Sequence, residues 1–422
     1  MLEKLTRQLD AGQPLAGGQI SEAVERLADE KVAASLKADF LITLAQKGET
    51  TAEIAAFARA LREKSIAPPL DAETRSREIL DVVGTGGDRL GTINISTTAA
   101  LICAAAGVTV AKHGNRAVTS QAGSADVLEA LGVRIDLTPA EAARSLREHN
   151  FAFFFAPDYH PAFKHIALAR KICAERGKRT IFNLLGPLLN PARPSAMLMG
   201  VPRPEFCEPL AQVLQSLGVR RAMVVCGKID PSKISPPFGI QSANHAEQIR
   251  LLDVDGKQLG FMTVANALAL TKQKNCKLVV VAPRATPPVY RVVNSEQIKE
   301  REIGVAQQQK HLDELSTLGE NTIAEFYQAR GFTVSTTLPE QFPLQPAALA
   351  DLLGGDKTAN AKIVREILSG AERGPKRDAV LLNAAAALFV AGRTKSLAEG
   401  WDLAGETIDG GHAKAKLGEL AS

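Results

Sequence analysis

The sequence has few cysteines, no paired cysteine motif and no long apolar run. Its five cysteines are scattered over the 422 residues, at positions 103, 173, 207, 226 and 276. This pattern argues against a zinc site or a disulfide framework and favours a reducing compartment. The acidic, amphipathic N-terminus lacks the features of a signal peptide, and no apolar run reaches the ~18 residues of a membrane span. We therefore expect a cytoplasmic protein.

The sequence also has little excess of either charge. A net charge of +4 over 422 residues is too small to indicate nucleic-acid binding by the whole chain. Hydrophobic residues make up 45% and charged residues 23%, as in ordinary soluble globular proteins. The length is sufficient for two or three domains with substantial cores.

The first 66 residues have apolar and charged positions at helical spacing. They predict four helices, with Ser21 capping the second and Thr50 or Thr51 near the start of the fourth. Pro68 and Pro69 end this region, because proline interrupts a helix. We therefore expect a small helical domain at the N-terminus.

Short β-branched segments then alternate with glycine turns and helical patterns. The predicted strands read ILDVV, VTVAK, FAFFFAP and RAMVVCG. Strands that alternate with helices indicate a mostly parallel sheet with helices on both faces. In such sheets, ligands bind beyond the carboxyl ends of the strands.

Two polar, glycine-containing turns follow the first two predicted strands, at residues 84–97 and 112–124. Each leads into a helix, whose first backbone N–H groups and dipole favour an anion. Lys112 and Arg116 add positive charge to the second turn. Together the turns predict a ligand with two separate phosphate groups. Neither matches the G-x-G-x-x-G or G-x-x-x-x-G-K-[ST] pattern, which disfavours a dinucleotide site and a P-loop.

Four polar residues have two interpretations each. Asp88 suits either a sugar hydroxyl or a metal-bound water, and Ser96 either ligates magnesium or caps its helix. The adjacent Asp313 and Glu314 are either surface carboxylates or magnesium ligands beside a diphosphate.

Other polar residues give weaker signals. Arg170 is either an anion ligand or part of a solvated helix face. His113 and His160 lack metal-ligand spacing, which favours hydrogen bonding or packing. No Ser-His-Asp or Cys-His arrangement is apparent, so covalent catalysis has little support.

The chain closely resembles the anthranilate phosphoribosyltransferase family over roughly residues 1–228 and 311–422. The shared motifs are GTGGD, NISTT, KHGNRAVTSQAGSADVLEALGV, HPAFKHIALAR, RTIFNLLGPLLNP, LDELSTLGEN, GGDKTANA and GPKRDAVLLNAAAALFVAG. Thymidine-phosphorylase-like enzymes share the implied fold but differ in the phosphate-site motifs. The resemblance implies transfer of the phosphoribosyl group of phosphoribosyl pyrophosphate to the amine of anthranilate, in tryptophan biosynthesis.

The resemblance also implies a set of site residues and no catalytic acid or base, since positioning and metal assistance suffice. The implied substrate-binding residues are Gly84, Gly87, Asp88, Thr92, Asn94, Ile95, Ser96, Thr97, Lys112, His113, Gly114, Asn115, Arg116, Ala117, Val118, Thr119, Ser120, Ser124 and Arg170. Thr119 stands where the family more often has serine, a change that keeps the hydroxyl. Ser96, Asp313 and Glu314 would ligate magnesium, with two ions per monomer of a homodimer.

Residues 229–310 interrupt this resemblance. A proline-rich joint, residues 230–237, precedes a unit of strands and helices that ends in a predicted polar helix, SEQIKEREIGVAQQQKH. Residues 244–310 contain ten Lys and Arg against six Asp and Glu. The segments AEQIRLLDVDGKQLGFMTVANALAL and LVVVAPRATPPVYRVV are similar to the N-terminal domain of bacterial translation initiation factor 3.

The resulting prediction is an α/β protein with three domains. A helical domain spans residues 1–75 and is joined by helices from about 160–185. A mostly parallel α/β domain of the nucleoside phosphorylase and phosphoribosyltransferase type spans 76–228 and 311–422. A small α+β domain is inserted at 229–310, and it would bind the ribosome or RNA, regulate catalysis at the carboxylates, or have no role. Aligning DPSKIS with the family's metal-binding segment is an alternative, but LDELSTLGEN matches better because the family sequence continues after it.

Overall fold

The computed structural model describes residues 1–86, 88, 90–117, 121–234, 248–273, 276–282, 287–294, 310–328 and 331–422. The chain divides into two units. The main unit comprises Met1–Lys228, His311–Ala347 and Asp351–Ser422, and the second unit comprises Ile229–Lys310 and Ala348–Ala350. None of the described helices combines the length and the apolar character needed to cross a membrane.

The four predicted N-terminal helices are confirmed. They are α1 (Leu2–Asp10), α2 (Gly17–Ala28), α3 (Ala34–Lys47) and α4 (Thr51–Glu63). Thr50 caps α4, because its hydroxyl accepts a hydrogen bond from the Glu53 N–H at 3.2 Å. The prediction that Ser21 caps α2 is wrong. This helix already begins at Gly17, and the Ser21 hydroxyl donates to the Gly17 carbonyl inside the first turn.

The main unit contains a mostly parallel sheet, as predicted. Its parallel strands are β1 (Ile79–Gly84), β2 (Thr109–Gly114), β3 (Phe151–Phe155), β4 (Ala196–Gly200) and β5 (Arg221–Lys228). Strands β10 (His311–Leu312), β11 (Asn321–Tyr327) and β12 (Gly331–Thr337) extend it in antiparallel fashion. The order is β12-β11-β5-β4-β1-β2-β3, with β10 also paired to β5. The carboxyl ends of β1, β2 and β4 therefore lie at one edge.

Helices and short 3₁₀ turns surround this sheet. The helices are α5 (Ala72–Ser76), α6 (Ile95–Ala105), α7 (Ser124–Leu131), α8 (Pro139–His149), α9 (Ala156–Tyr159), α10 (Ala167–Glu175), α11 (Phe182–Leu185), α12 (Cys207–Ser216), α14 (Lys357–Leu368), α15 (Pro375–Val390), α16 (Leu397–Asp409) and α17 (His412–Leu420). One apolar core joins α1–α4 to α10–α12, β4 and β5, through buried side chains such as Phe40, Leu185 and Leu214. This core fixes the helical region against the sheet.

The described residues of the second unit form a small sheet and a helix. Strands β6 (Ile249–Leu252), β7 (Gln258–Met262), β8 (Cys276–Ala282) and β9 (Val289–Asn294) have the order β7-β6-β9-β8, with helix α13 (Val264–Gln273) between β7 and β8 in the chain. These elements agree with the unit of strands and helices that is predicted after the proline-rich joint. Of the predicted polar helix after Asn294, residues 295–309 lie outside the described residues, and its last residue, His311, is in β10.

Candidate active site

A cavity of about 750 Å³ opens at the carboxyl ends of β1, β2 and β4. Its wall contains most of the implied site residues: Gly84, Asp88, Thr92, Asn94, Ser96, Thr97, Lys112, His113, Gly114, Asn115, Arg116, Ala117, Ser124, Arg170, Asp313 and Glu314. Ile95 is not in this wall, because its side chain is fully buried and its N–H donates to the Ile93 carbonyl. Four further predicted residues, Gly87, Val118, Thr119 and Ser120, lie outside the described residues.

Three carboxylates meet in this cavity. Asp88, Asp313 and Glu314 each offer an oxygen within 4.8 Å of the other two. The Gly86 N–H donates to Asp313 Oδ2 at 2.6 Å, whereas Glu314 Oε2 is buried with no hydrogen-bond partner among the described residues. Such a set of hard oxygen ligands with an unsatisfied buried oxygen fits Mg²⁺. Asp88, which the resemblance places among the substrate ligands, thus also lies beside the two carboxylates predicted to bind magnesium.

Burial and mutual repulsion raise the pKa values of Asp313 and Glu314. Burial and the nearby Asp88 charge raise the pKa of Asp313 to about 7. Burial, followed by the charges of Asp313 and Asp88, raises the pKa of Glu314 well above its ordinary range, and Lys112 opposes this shift. A bound divalent cation would reverse this effect, because it favours the ionised form of all three carboxylates.

Three glycines at strand ends leave room for the Asp313–Glu314 segment. A Cβ atom at Gly84 or Gly200 would overlap Asp313, and one at Gly227 would lie 2.6 Å from the Glu314 carbonyl oxygen. These glycines belong to β1, β4 and β5, which are adjacent in the sheet. Glycine is required here because the backbone of residues 313–314 passes directly over the strand ends.

Two buried asparagines hold the segment that follows. Asn383, in α15, accepts from the Leu315 N–H at 3.0 Å and donates to the Leu315 carbonyl at 2.9 Å. Asn321, in β11, accepts from the Ser316 N–H at 2.6 Å and donates to the Ser316 carbonyl at 3.0 Å. Each amide thereby satisfies both backbone groups of one buried residue. Sequence reasoning assigned no role to either asparagine, although Asn321 ends the motif LDELSTLGEN and Asn383 lies in GPKRDAVLLNAAAALFVAG.

The N-terminus of α6 faces the same cavity. Asn94 occupies the N-cap position, but its side chain makes no capping hydrogen bond. Among the described residues, the N–H groups of Ser96 and Thr97 have no protein acceptor. These groups and the helix dipole could hold an anion, the kind of ligand that the sequence predicts here.

The two cations that the sequence predicts in the second turn, Lys112 and Arg116, already have protein partners. The Lys112 ammonium donates to the Val82 carbonyl at 2.7 Å, and burial lowers its pKa to about 8, against the attraction of Asp81 and Glu314. The Arg116 guanidinium pairs with Asp126 at 3.0 Å and with Glu129 at 2.8 Å, both on α7. In this conformation Arg116 therefore orders the loop after β2 rather than presenting a free charge to the cavity.

Two histidines form a buried pair at the wall of the cavity. His113 Nε2 and His160 Nε2 are 3.2 Å apart. Burial lowers the pKa of His113 to about 3 and that of His160 to about 4, and His160 further disfavours the charged form of His113. Both rings are therefore neutral at physiological pH. The structure agrees with the predicted hydrogen-bonding role.

Arginines on the rim provide the exposed positive charge. Arg170 lies over the Phe182 ring at 5.4 Å, and Arg179 belongs to the same wall. Neither has an acidic partner within 4.0 Å among the described residues, unlike Arg203, which pairs with Glu205. Sequence reasoning named Arg170 but assigned no role to Arg179 or Arg203. The RTIFN motif that follows a helical pattern was the available signal for Arg179.

Family comparisons agree with this architecture. A model described as "Glycosyl transferase family, helical bundle domain" matches residues 2–65, and one described as "Glycosyl transferase family, a/b domain" matches residues 76–280 and 238–414. The fold and the cavity thus define a glycosyl transferase of this type.

More specific relatives narrow the class. The chain is 38% identical over 409 residues to an anthranilate phosphoribosyltransferase of Petrotoga mobilis, covering 97% of this chain and 93% of the relative. The crystal structure of the Thermus thermophilus enzyme of that name matches with a TM-score of 0.71 and 34% identity, covering 99% and 98% of the two chains. A Saccharomyces cerevisiae enzyme of that name, in complex with phosphoribosyl pyrophosphate and Mg, shares the fold at 22% identity, with a TM-score of 0.71 and coverage of 99% and 96%. The chain belongs to the anthranilate phosphoribosyltransferase family.

Proposed function

We propose that the protein transfers the 5-phosphoribosyl group of phosphoribosyl pyrophosphate to anthranilate, giving N-(5-phosphoribosyl)anthranilate and diphosphate in tryptophan biosynthesis. The observation that carries this proposal is the meeting of Asp88, Asp313 and Glu314 with the open N-terminus of α6 in one cavity. A pyrophosphorylated sugar requires both features, because its leaving group carries several negative charges.

The backbone of α6 stabilises the leaving group in this proposal. The N–H groups of Ser96 and Thr97 donate to diphosphate oxygens, where the helix dipole favours the charge that develops as the C1–O bond breaks. Asp88, Asp313 and Glu314 would hold magnesium, which would supply further charge neutralisation; the yeast relative was solved in complex with Mg. The described backbone of residues 115–117 and 121–124 lies at the same cavity and suits the second phosphate group of the donor.

The acceptor is oriented rather than activated. Arg170 offers its guanidinium to the anthranilate carboxylate, and the amide of Asn115 lines the same wall. His113 and His160 are neutral and cannot repel the positive charge that develops on the ribose. Because the aromatic amine is itself a nucleophile, alignment of the two substrates and stabilisation of the diphosphate provide the acceleration.

The test is a steady-state assay of anthranilate fluorescence with phosphoribosyl pyrophosphate and Mg²⁺. Replacing both carboxylates (Asp313→Asn with Glu314→Gln) removes charge while keeping shape, and kcat/KM should fall at least ~10²-fold, the scale of losing one strong transition-state contact. Asp402→Asn, on an exposed position of α16, is the matched control. No anthranilate consumption by the wild type, or full activity of the double variant, would refute the proposal.

We also propose that residues 229–310 form an inserted domain related to the N-terminal domain of initiation factor 3. We propose further that this domain affects the position of Asp313 and Glu314, because the chain leads from it directly into them. Two observations support this second proposal. β10 pairs with the end of β5, where Lys228 faces His311, and the Ile229 N–H donates to the Lys310 carbonyl at 3.0 Å. The chain therefore enters and leaves residues 229–310 through two hydrogen-bonded segments, at 228–229 and 310–311. Asp313 follows β10 directly, so the second of these segments continues into the proposed magnesium ligands.

Replacement of residues 230–309 by an Asn-Gly turn tests the insert. A two-residue turn can join Ile229 to Lys310 because their backbones are already paired. We expect a changed Mg²⁺ requirement or substrate KM; unchanged kinetics would identify a passive insertion. Salt-dependent co-sedimentation of the full chain with small ribosomal subunits, lost in the turn variant, would instead indicate a ribosome-binding role.

The remaining proposals concern assembly and location. The family resemblance suggests a homodimer formed by the N-terminal helices, two Mg²⁺ ions per monomer and a cytoplasmic enzyme. Light scattering during size-exclusion chromatography measures the mass, and calorimetric titration with Mg²⁺ and diphosphate measures the stoichiometry. A monomer at micromolar concentration, or a single ion per chain, would contradict them.

A further inference from the structure

Asn360, in the first turn of α14, links three segments around the cavity. Its side chain is 2% exposed. Its Oδ1 accepts from the Gly355 N–H at 2.8 Å, and its Nδ2 donates to Asn94 Oδ1 at 2.9 Å. Asn94 Nδ2 in turn donates to the Ala122 carbonyl at 3.2 Å. The two amides thus connect the α14 turn, the start of α6 and the loop before α7.

The backbone fixes the direction of this chain of hydrogen bonds. The Gly355 N–H requires an acceptor, so Asn360 must present Oδ1 to it and Nδ2 to Asn94. The Ala122 carbonyl requires a donor, so Asn94 must present Nδ2 to it and Oδ1 to Asn360. Both amide orientations are therefore determined from the two ends.

This arrangement accounts for the missing side-chain cap of α6. An N-cap asparagine ordinarily turns its Oδ1 toward the N–H groups of the second and third helical residues. In Asn94 this oxygen is instead held by Asn360, and the N–H groups of Ser96 and Thr97 remain open to the cavity. Without that hold, the Asn94 side chain would compete with a phosphate group for the same donors.

The surrounding backbone is shaped for this contact. The Gly354 N–H donates to the Gly91 carbonyl and the Ile93 N–H to the Leu352 carbonyl, at 2.9 and 3.0 Å. A Cβ atom at Gly354 would overlap the Asn360 amide. The segment of residues 352–355 therefore lies close against residues 91–94, and only glycine at 354 admits the amide between them.

We propose that Asn360 is a positioning residue, which keeps the anion site of α6 open by holding Asn94 away from its own helix. This inference rests on the proposed function for the identity of the anion, a diphosphate group of the donor. Asn360 itself touches no substrate in this scheme, and it acts only through Asn94.

The decisive variant is Asn360→Asp, which keeps the acceptor for Gly355 and removes the donor to Asn94. We expect KM for phosphoribosyl pyrophosphate to rise about tenfold, the equivalent of one lost hydrogen bond. The kcat at saturating donor and the KM for anthranilate should stay within about twofold, since those steps do not use the contact. In the background of Asn94→Ala, Asn360→Asp should have no further effect on that KM, because the two residues act in series.

Asp356→Ala is the matched control for helix stability. Asp356 is exposed and caps α14 by accepting from the Ala359 N–H at 2.8 Å, without contact to Asn94. It should lower Tm and leave the KM for the donor unchanged. If Asn360→Asp does not fold, Gly354→Ala displaces the same amide and should raise the same KM.

Binding of inorganic diphosphate with Mg²⁺, measured by calorimetry, separates this inference from the proposed function. A wild type without transferase activity would refute the function, and diphosphate affinity would still report on the anion site. An unchanged diphosphate Kd in folded Asn360→Asp, or effects of Asn94→Ala and Asn360→Asp that multiply, would overturn the role of Asn360.

Discussion

The carboxylate loop (residues 313–318) and the β2–α7 loop (residues 115–117 and 121–123) line one cavity, but contacts of very different range hold them. Asn383 forms two hydrogen bonds with the backbone of Leu315, which is 68 positions away along the chain. The Gly86 N–H donates to Asp313, which is 227 positions away. In the β2–α7 loop, Asp126 accepts from the Ala117 and Gly123 N–H groups, nine and three positions away. The first loop is thus fixed by the whole fold, and the second mainly by its own helix.

This difference has a chemical counterpart. The carboxylate loop brings like charges together in a buried place, so its backbone must be held against their repulsion. The β2–α7 loop has a favourable internal electrostatic arrangement, in which Arg116 lies between Asp126 and Glu129. A loop with favourable local charges needs fewer distant supports, whereas a repulsive one needs rigid tertiary contacts.

The largest effect on stability should come from Asn383→Ala, which tests the long-range support of the carboxylate loop. It leaves the buried Leu315 N–H and C=O without partners, and each such group costs ~1–3 kcal/mol. We expect the free energy of unfolding to fall by about 3 kcal/mol, with a weaker affinity for Mg²⁺ as the loop loses its hold. Urea unfolding and an activity titration with Mg²⁺ measure the two effects. A variant with wild-type stability would show that the glycine-lined strand ends alone position Asp313 and Glu314.

The same contrast explains what the sequence could predict. Strands β1, β2, β3 and β5 each contain at least two β-branched or aromatic residues in succession, and this pattern between turns and helices predicts them. β4 reads AMLMG and was missed, because a short methionine-rich run has no strand-specific pattern. The start of α4 could be predicted from Thr50 and Thr51, whereas Ser21 was misassigned because a serine inside a helix resembles one at its start.

Site residues divide in the same way. The glycine turns and the KHGNR segment are local motifs, and the structure brings their described residues to the cavity; their ligand contacts remain predictions. The involvement of Asp88 with Asp313 and Glu314, and the room supplied by Gly200 and Gly227, depend on which strands are neighbours. No spacing in the sequence contains that information, because sheet order is set by tertiary packing.

A smaller effect should come from the His113–His160 pair, a long-range contact just before the β2–α7 loop. Both pKa values lie below the ordinary ~6.5 of histidine, so at lower pH the unfolded chain binds protons that the folded chain does not. Their contribution to stability is present above about pH 6.5 and is lost as the pH falls toward about 4. Each group contributes up to ~1.4 kcal/mol per pH unit in that interval.

The measurement is the pH dependence of unfolding in His160→Gln against wild type. Between pH 6 and pH 4.5, the slope should be shallower in the variant by about 1.4 kcal/mol per pH unit. Arg62 and Lys112, which also disfavour a charged His113, are common to both proteins and cancel in the difference. His412→Gln, at an exposed position, controls for the loss of one imidazole. Equal slopes in wild type and His160→Gln would mean that the pair does not stay neutral in the folded protein.

The smallest effect should come from Asp126→Ala in the β2–α7 loop. The variant removes an acceptor from two N–H groups, but both belong to partly exposed residues that water can reach, so we expect a loss of about 1 kcal/mol. Arg116 then loses one of its two acidic partners. This loss should raise the KM for phosphoribosyl pyrophosphate more than it lowers the free energy of unfolding. Glu129→Ala, which removes the other acidic partner of Arg116 without affecting a backbone group, is the matched control.

If Asp126→Ala destabilises the protein as much as Asn383→Ala, both loops depend equally on the whole fold. A loss confined to about 1 kcal/mol, with donor KM raised in both Asp126→Ala and Glu129→Ala, would establish that the β2–α7 loop is held locally.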